Sequence, residues 1–238
     1  MNRKISIIMP VLNESAGINQ TIEHLNGLMK TTGVSAEVIV VDGDPAGKTI
    51  KVIQDKSVIT AVGKTGRAVQ MNKGAGLADG EIFLFLHADT RLPDDGLSLI
   101  VATCGSSATG AGAFDLAISS ERRIFRLVET MANFRSHLTK IPYGDQALFF
   151  TAGYFRKLGG FADVPIMEDV EIMRRIKKRQ DRIVFLKQTV RTSARRWEKE
   201  GVWKCTFRNW SLVSLYIAGI TPDRLAKFYR VYAADKTL

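Results

Sequence analysis

Through the first ninety residues, short apolar runs rich in β-branched side chains alternate with amphipathic stretches. Ile5 to Met9, Val38 to Val41, Val58 to Val62 and Ile82 to Leu86 are continuous apolar segments of strand length, the pattern of strands covered on both faces. Between the first two, Ile18, Ile22, Leu25 and Met29 recur every three or four residues. They draw one apolar stripe along a helix, with Ser15 as its expected N-cap. Arg67 to Ala78, rich in Ala and Gly, predicts a close-packing helix that Asp79-Gly80 ends. Such βα alternation builds a mostly parallel sheet with helices on its faces. The second half is less regular. Ala113 to Ile118 and Ala147 to Thr151 predict strands, and Glu121 to His137, Glu168 to Lys178 and the uncharged Trp210 to Ile220 predict helices. No repeat or low-complexity linker divides the chain, so one α/β domain is expected over 1–238.

Composition narrows the class. With 45% hydrophobic and 24% charged residues, the chain can bury a sizeable core and is neither disordered nor fibrous. Cys104 and Cys205 lie far apart without C-x-x-C spacing, which points away from zinc or a disulfide framework and toward the cytoplasm. Asn2-Arg3-Lys4 and the apolar run after it stop at Pro10 without a cleavage signal, so they read as the first strand and not as a signal peptide. No stretch approaches the about 20 apolar residues of a spanning helix, and a soluble or peripheral protein is expected. The net charge of +10 is concentrated: Arg174 to Arg208 carries thirteen Lys and Arg against Asp181, Glu198 and Glu200, which is the whole excess. Beside an apolar helix, such a segment suits an anionic membrane surface or a phosphorylated acceptor. The plainer reading is a solvated basic face beside a core-packed helix. A nucleic-acid-binding module without catalysis is a third.

In open parallel sheets, ligands bind beyond the carboxyl ends of the strands. Here those ends are polar: Pro10-Val11-Leu12-Asn13-Glu14, Asp42-Gly43-Asp44, Gly63-Lys64-Thr65-Gly66-Arg67 and His87-Ala88-Asp89-Thr90. Asp42, Arg67 and Asp89 on one edge would supply a carboxylate for base or ribose, a cation, and an oxygen ligand for Mg²⁺ or Mn²⁺. Each alone is ordinary turn chemistry; their convergence suggests a nucleotide with phosphates. A competing reading is a P-loop-like NTPase. Gly43-Asp44-Pro45-Ala46-Gly47-Lys48-Thr49 resembles a phosphate-binding loop, but it is one residue short and Pro45 removes a donor.

Taken in order, these segments resemble the inverting glycosyltransferases of family 2, which have the GT-A fold. Ile5 to Glu14 is similar to the family's opening strand and donor-base loop, and Val40-Val41-Asp42-Gly43 to its second strand. Gly66-Arg67-Ala68, Asn72-Lys73-Gly74 and Ala78-Asp79-Gly80-Glu81 resemble the helix that leads into the metal strand. His87-Ala88-Asp89 stands where the family has D-x-D, and Met167-Glu168-Asp169 resembles its Glu-Asp motif. Pro142 to Gln146 and Thr192 to Glu198 are similar to a small soluble bacterial branch.

The resemblance implies a Rossmann-related, mixed, mostly parallel sheet flanked by helices, with a C-terminal helical extension. Residues 1–95 would form the nucleotide-sugar half, 96–200 the acceptor-side half and 201–238 the C-terminal helices. It implies nucleotide contacts from Pro10, Leu12, Asn13, Glu14, Asp42 and Arg67, with Mg²⁺ or Mn²⁺ at Asp89. Asp169 would be the general base and Glu168 a positioning partner, while Asp145, Gln146, Arg195, Arg196 and Trp197 would face acceptor or sugar. The implied reaction moves a sugar from a nucleotide-diphospho-sugar, UDP-sugar foremost, to a hydroxyl acceptor, lipid-linked or phosphorylated, by metal-assisted displacement with inversion. It would take place in the cytoplasm or at the inner membrane surface, with no nucleic acid as partner. Two positions depart from the pattern. His87 replaces the first carboxylate of D-x-D, and Ser193 replaces the Gln of the Q-x-x-R-W motif in processive relatives, which argues against a polymer-extruding synthase.

Overall fold

A computed structural model describes residues 3–105 and 109–229; Asn2, and the 230–238 part of the expected C-terminal extension, lie outside the described residues. In chain order the elements are β1 (Ile5–Val11), α1 (Ile18–Thr32), β2 (Ala36–Asp42), β3 (Ile59–Val62), α2 (Arg67–Leu77), β4 (Ile82–Phe85), β5 (Thr90–Arg91), α3 (Gly96–Gly105) and β6 (Ala111–Ser119). There follow α4 (Arg123–Thr139), β7 (Phe149–Thr151), α5 (Ala152–Leu158), α6 (Glu168–Lys178), β8 (Ile183–Ser193), α7 (Arg195–Glu200), α8 (Val202–Ile217) and α9 (Pro222–Ala226). Among the described residues the strands form an 8-stranded sheet in the order β3-β2-β1-β4-β7-β6-β8-β5. The first four in that order are mutually parallel. Then β7 runs antiparallel to both β4 and β6, and β8 is parallel to β6 but antiparallel to β5.

Alternation along β1 explains the two layers of helices. Ile5, Ile7 and Met9 pack with Ile18, Ile22 and Leu25 of α1, while Ile8, pointing to the other face, packs with Ala68, Met71 and Ala75 of α2. The small residues of α2 allow close approach: a Cβ at Gly74 would overlap Ile8 Cγ2. A third cluster, Ile118, Phe125, Val128, Ala194 and Val202, ties α4 to α7 and α8.

Several expectations shift. Ser15 does not cap α1; the helix starts at Ile18 behind Gly17 without a side-chain cap, and Ser15 Oγ donates to Lys48 O at 3.3 Å. The expected Trp210 to Ile220 helix is the second half of a longer α8. Arg174 to Arg208 is not one basic face, because it spans α6, β8, α7 and α8. In β8, exposed Arg191 lies between buried Val190 and Thr192, the period of a strand with one solvated face. That strand positions the site, since Ser193 N donates to Asp89 O at 3.2 Å and so carries the Arg195-Arg196 pair to the ends of β1 and β4.

Gly74→Val is expected to destabilise the fold by about 1–3 kcal/mol, because fully buried Ile8 has nowhere to move. Chemical denaturation of wild type and variant measures it; unchanged stability would mean that α2 stands further from the sheet.

Candidate active site

Beyond β1 the chain turns at Asn13, whose φ of 60° lies in the left-handed region that Asn tolerates better than most residues. The turn opens a cavity of about 820 Å³ at the carboxyl edge of the sheet. Pro10, Leu12, Asn13, Glu14, Arg67, His87 and Asp89 line it from the first half of the chain. Tyr143, Asp145 and Asp169 come from later elements, and Arg195, Arg196 and Trp197 from α7. Segments remote in sequence thus meet around one space, as the strand-end argument expects.

Three expected site residues do not line it. Asp42 is fully buried. Its Oδ1 accepts from Asp44 N at 2.9 Å and its Oδ2 from Thr49 N at 2.8 Å and Ile50 N at 3.4 Å. These bonds argue against the phosphate-loop reading, because the N–H groups of Gly43, Asp44, Ala46, Gly47 and Thr49 are taken up by Val11 O, Asp42 and Asp44, and exposed Lys48 stands 3.7 Å from Asp44. Gln146 is also buried. Its Nε2 donates to Phe114 O and Ser136 Oγ, and its Oε1 accepts from Tyr143 N at 3.1 Å. It braces the single 3-10 turn Gly144–Gln146 that presents Tyr143 and Asp145. Glu168, also buried, pairs through Oε1 with Arg67 Nε at 2.8 Å. Its Oε2 is buried without a hydrogen-bond partner. Burial pushes the Glu168 carboxyl up, opposed by Arg67, and Glu168 in turn raises Arg67.

The lining groups have distinct surroundings. Arg195 Nη2 donates to Glu14 at 2.9 and 3.2 Å and stands 4.0 Å from Asp89 Oδ2. Burial raises Glu14 against the pull of Arg195. Burial and the Arg67 charge lower His87, so its imidazole is held neutral. Burial pushes Asp145 up to about 6, opposed by Arg135. Asp169 opens α6; its Oδ2 accepts from Gly144 N at 2.7 Å and its Oδ1 from Val170 N at 2.8 Å. Two backbone bonds fix the carboxylate while leaving acceptor capacity on each oxygen. Gly144 fits between two site groups, since a Cβ there would lie 3.3 Å from His87 Nε2 and 3.4 Å from Asp169 Oδ2.

The donors present fit a divalent ion held jointly with a substrate. Among the described residues no three His, Cys, Asp or Glu side chains gather into a metal cage. Asp89 nevertheless offers a hard carboxylate that accepts no hydrogen bond from the described residues, with neutral His87 two residues away and Glu14 nearby. Mg²⁺ is commonly held by one or two carboxylates plus substrate phosphates and waters.

Two residues that the sequence did not single out matter to this geometry. The Tyr143 hydroxyl is buried without a partner, its ring lying 3.3 Å from the Arg135 guanidinium carbon; burial pushes it up to about 12. Gln70 Nε2 donates to Val11 O at 2.8 Å and Val41 O at 2.7 Å, holding the ends of β1 and β2 together. A lone amide one helical turn before Gly74 on α2 was its only signal.

The sequence profile of glycosyl transferase family 2 matches residues 6–159. No curated protein matches the chain. Among solved structures the chain is similar to a mannosyltransferase from Pyrobaculum calidifontis in complex with GDP-Man and Mn²⁺. That match has a TM-score of 0.67 and 21% identity, over 94% of this chain and 67% of that one. It is also similar to glucosyl-3-phosphoglycerate synthase from Mycobacterium tuberculosis in complex with Mn²⁺, UDP and phosphoglyceric acid (TM-score 0.57, 16% identity, 79% of this chain and 69% of that one). A third match is S. aureus TarS 1-349 in complex with UDP (TM-score 0.58, 15% identity, 80% of this chain and 60% of that one). At these identities the likeness is one of fold, and the chain spans 60% of the TarS chain's length. With the profile covering more than half of the sequence, the chain belongs to glycosyl transferase family 2: it is a glycosyltransferase with the GT-A fold.

Proposed function

We propose that this enzyme transfers a sugar from a UDP-sugar to an acceptor hydroxyl by single displacement with inversion, in the cytoplasm. One observation carries the reading: Asp169, Asp89, Arg67 and Arg195, from segments remote in sequence, line a single cavity. Displacement with inversion needs a carboxylate for the attacking hydroxyl and cations or a metal for the leaving diphosphate, and this lining offers both. Residues 1–95 serve as the donor half and 96–200 as the acceptor half of one domain, with α8 and α9 as its C-terminal helices.

On the donor side, Pro10, Leu12, Asn13 and Glu14 hold the nucleoside. Asp42 acts indirectly, because the loop it ties down carries Thr49, whose Oγ1 accepts from Glu14 N at 3.2 Å. Arg67 and Arg195 meet the charge that grows on the departing diphosphate. Asp89, with His87 beside it, would hold Mg²⁺ or Mn²⁺, which supplies further charge neutralisation to the diphosphate when bound. Arg196 contributes less charge, its Nε lying 3.2 Å from Glu200 and its guanidinium stacked over Tyr229.

On the acceptor side, Asp169 takes the hydroxyl proton through an oxygen already oriented by Gly144 or Val170. Glu168 is a positioning residue that holds Arg67. Asp145, largely ionised at neutral pH, accepts hydrogen bonds from sugar or acceptor hydroxyls, and the unpartnered Tyr143 hydroxyl joins it. Gln146 supports that turn from below. Trp197 packs edge-on against Phe125 at 6.3 Å and offers its remaining surface to the cavity.

Asp169→Asn is expected to lower kcat by about 10²–10⁴-fold while UDP still stabilises the protein against heat; turnover at the wild-type rate would exclude Asp169 as the base. Asp89→Ala is expected to abolish the added thermal stabilisation that Mn²⁺ gives in the presence of UDP. An unchanged Mn²⁺ effect would place the ion elsewhere. Because Asp145 binds its proton more tightly folded than unfolded, stability falls as pH rises from about 4 to about 6 and then levels. Asp145→Asn is therefore expected to be the more stable form by about 1–2 kcal/mol at neutral pH, an advantage that vanishes near about pH 4. Denaturant titrations across that range measure it, and a pH-independent difference would contradict the assignment.

A further inference from the structure

Large apolar side chains on α4 and α8 face solvent in ordered rows. On α4, Leu127, Phe134 and Leu138 are 47%, 69% and 70% exposed. Their spacing of seven and four residues puts them on one helix face. On α8, Trp203 and Phe207 are 43% and 55% exposed and stack at 5.7 Å, with Trp210 edge-on to Phe207. The two helices belong to one body, because Phe125 and Val128 of α4 share a buried cluster with Val202 of α8 and Ala194. Aligned exposed apolar residues of this size mark an interaction site, unlike apolar residues scattered singly.

The charges around these rows are mostly positive. Arg122, Arg123 and Arg126 are exposed at the start of α4, Lys140 at its end, and Lys204 beside Trp203. Arg126 is paired with Glu129, and Arg122 and Lys140 lie over the Phe125 and Phe185 rings. Arg123 and Lys204 form no ion pair among the described residues, α4 and α8 carry no exposed acid, and the exposed acids flanking them are Glu121 before α4 and Glu198 in α7. Aromatic and aliphatic side chains flanked by Lys and Arg are the composition of a surface that lies in the interface of an anionic bilayer. Single-stranded nucleic acid would also accept the basic and aromatic groups, but Leu127 and Leu138 provide no ring on which a base stacks. Among the described residues no helix is long and apolar enough to cross a membrane.

We infer that the α4–α8 face docks peripherally on anionic phospholipid. Asn209, Leu212 and Val213 on another face of α8 line the cavity, so docking holds the active site beside the bilayer, where a lipid-borne acceptor is presented. That consequence rests on the proposed transfer reaction; the docking itself does not.

Flotation of the full chain with vesicles tests the docking without donor or acceptor. Wild type is expected to float with phosphatidylglycerol–phosphatidylcholine vesicles and about tenfold less with phosphatidylcholine alone, with a blue shift of tryptophan emission on binding. Phe134→Ser combined with Phe207→Ser, and separately Arg123→Gln combined with Lys204→Gln, are each expected to weaken flotation by about tenfold. These side chains are exposed and lie outside the cavity, so stabilisation by UDP should be unchanged and reports that the variants fold. Failure of wild type to float, equal binding to uncharged vesicles, or full binding by the variants would overturn the docking. So would retention of RNA, or dimer formation that the serine variants abolish, in the absence of vesicle binding. Loss of UDP stabilisation in wild type would instead count against the transfer reading.

Discussion

Arg67 begins α2 and Glu168 begins α6, and their 2.8 Å ion pair ties the starts of the two helices together beside the cavity. One helix follows the donor-side strands; the other carries the acceptor-side carboxylate at the very next residue. A buried pair of this kind is a poor source of net stability, since desolvation offsets much of the attraction. Glu168 even leaves one oxygen without a hydrogen bond. What the pair provides is placement. Arg67 is held at the lining of the cavity, and Asp169, the residue after Glu168, is held there by Gly144 N and Val170 N. Removing Arg67 would strand the buried Glu168 carboxylate, at a cost of about 3–5 kcal/mol, whereas half-exposed Arg67 tolerates the loss of Glu168 better.

Around that pair the carboxylates divide their tasks by environment. Asp42 binds backbone N–H groups and stiffens a loop. Asp89 accepts no hydrogen bond from the described residues and stands near Arg195, Glu14 and His87, which suits an ion that arrives with its substrate. Asp169 is oriented and keeps acceptor capacity, and Asp145 is raised by burial to about 6. In the proposed reading, identical chemical groups serve as scaffold, metal ligand, base and hydroxyl acceptor according to which hydrogen bonds and how much water each receives.

The donor half was the more legible part of the sequence. Its strands are buried on both faces and therefore read as uninterrupted apolar runs, and the polar residues after β1 and β4 reach the cavity as the strand-end rule requires. Asp42 misled because a residue after a strand can equally turn back onto its own loop, a choice that periodicity does not encode. Gln146 misled because motif proximity does not distinguish a residue that faces substrate from one that holds its neighbour; Glu168, expected to position acceptor or loop, pairs with Arg67 instead. In β8, outward Lys187 and Arg191 merged with flanking helices into one apparent basic run and hid the strand that delivers Arg195. Tyr143 depends on a cation–π contact with Arg135, eight residues away and on another element, which no local pattern shows.

The central claim is that the groups lining this cavity converge on one metal-bound diphosphate. A crystal of the protein with UDP and Mn²⁺, examined by anomalous scattering at the manganese edge, addresses it directly. The expected result is one manganese peak against Asp89, with the diphosphate between it and Arg67. Manganese and UDP lodged away from Asp89, or beside the Gly43–Thr49 loop, would contradict the account.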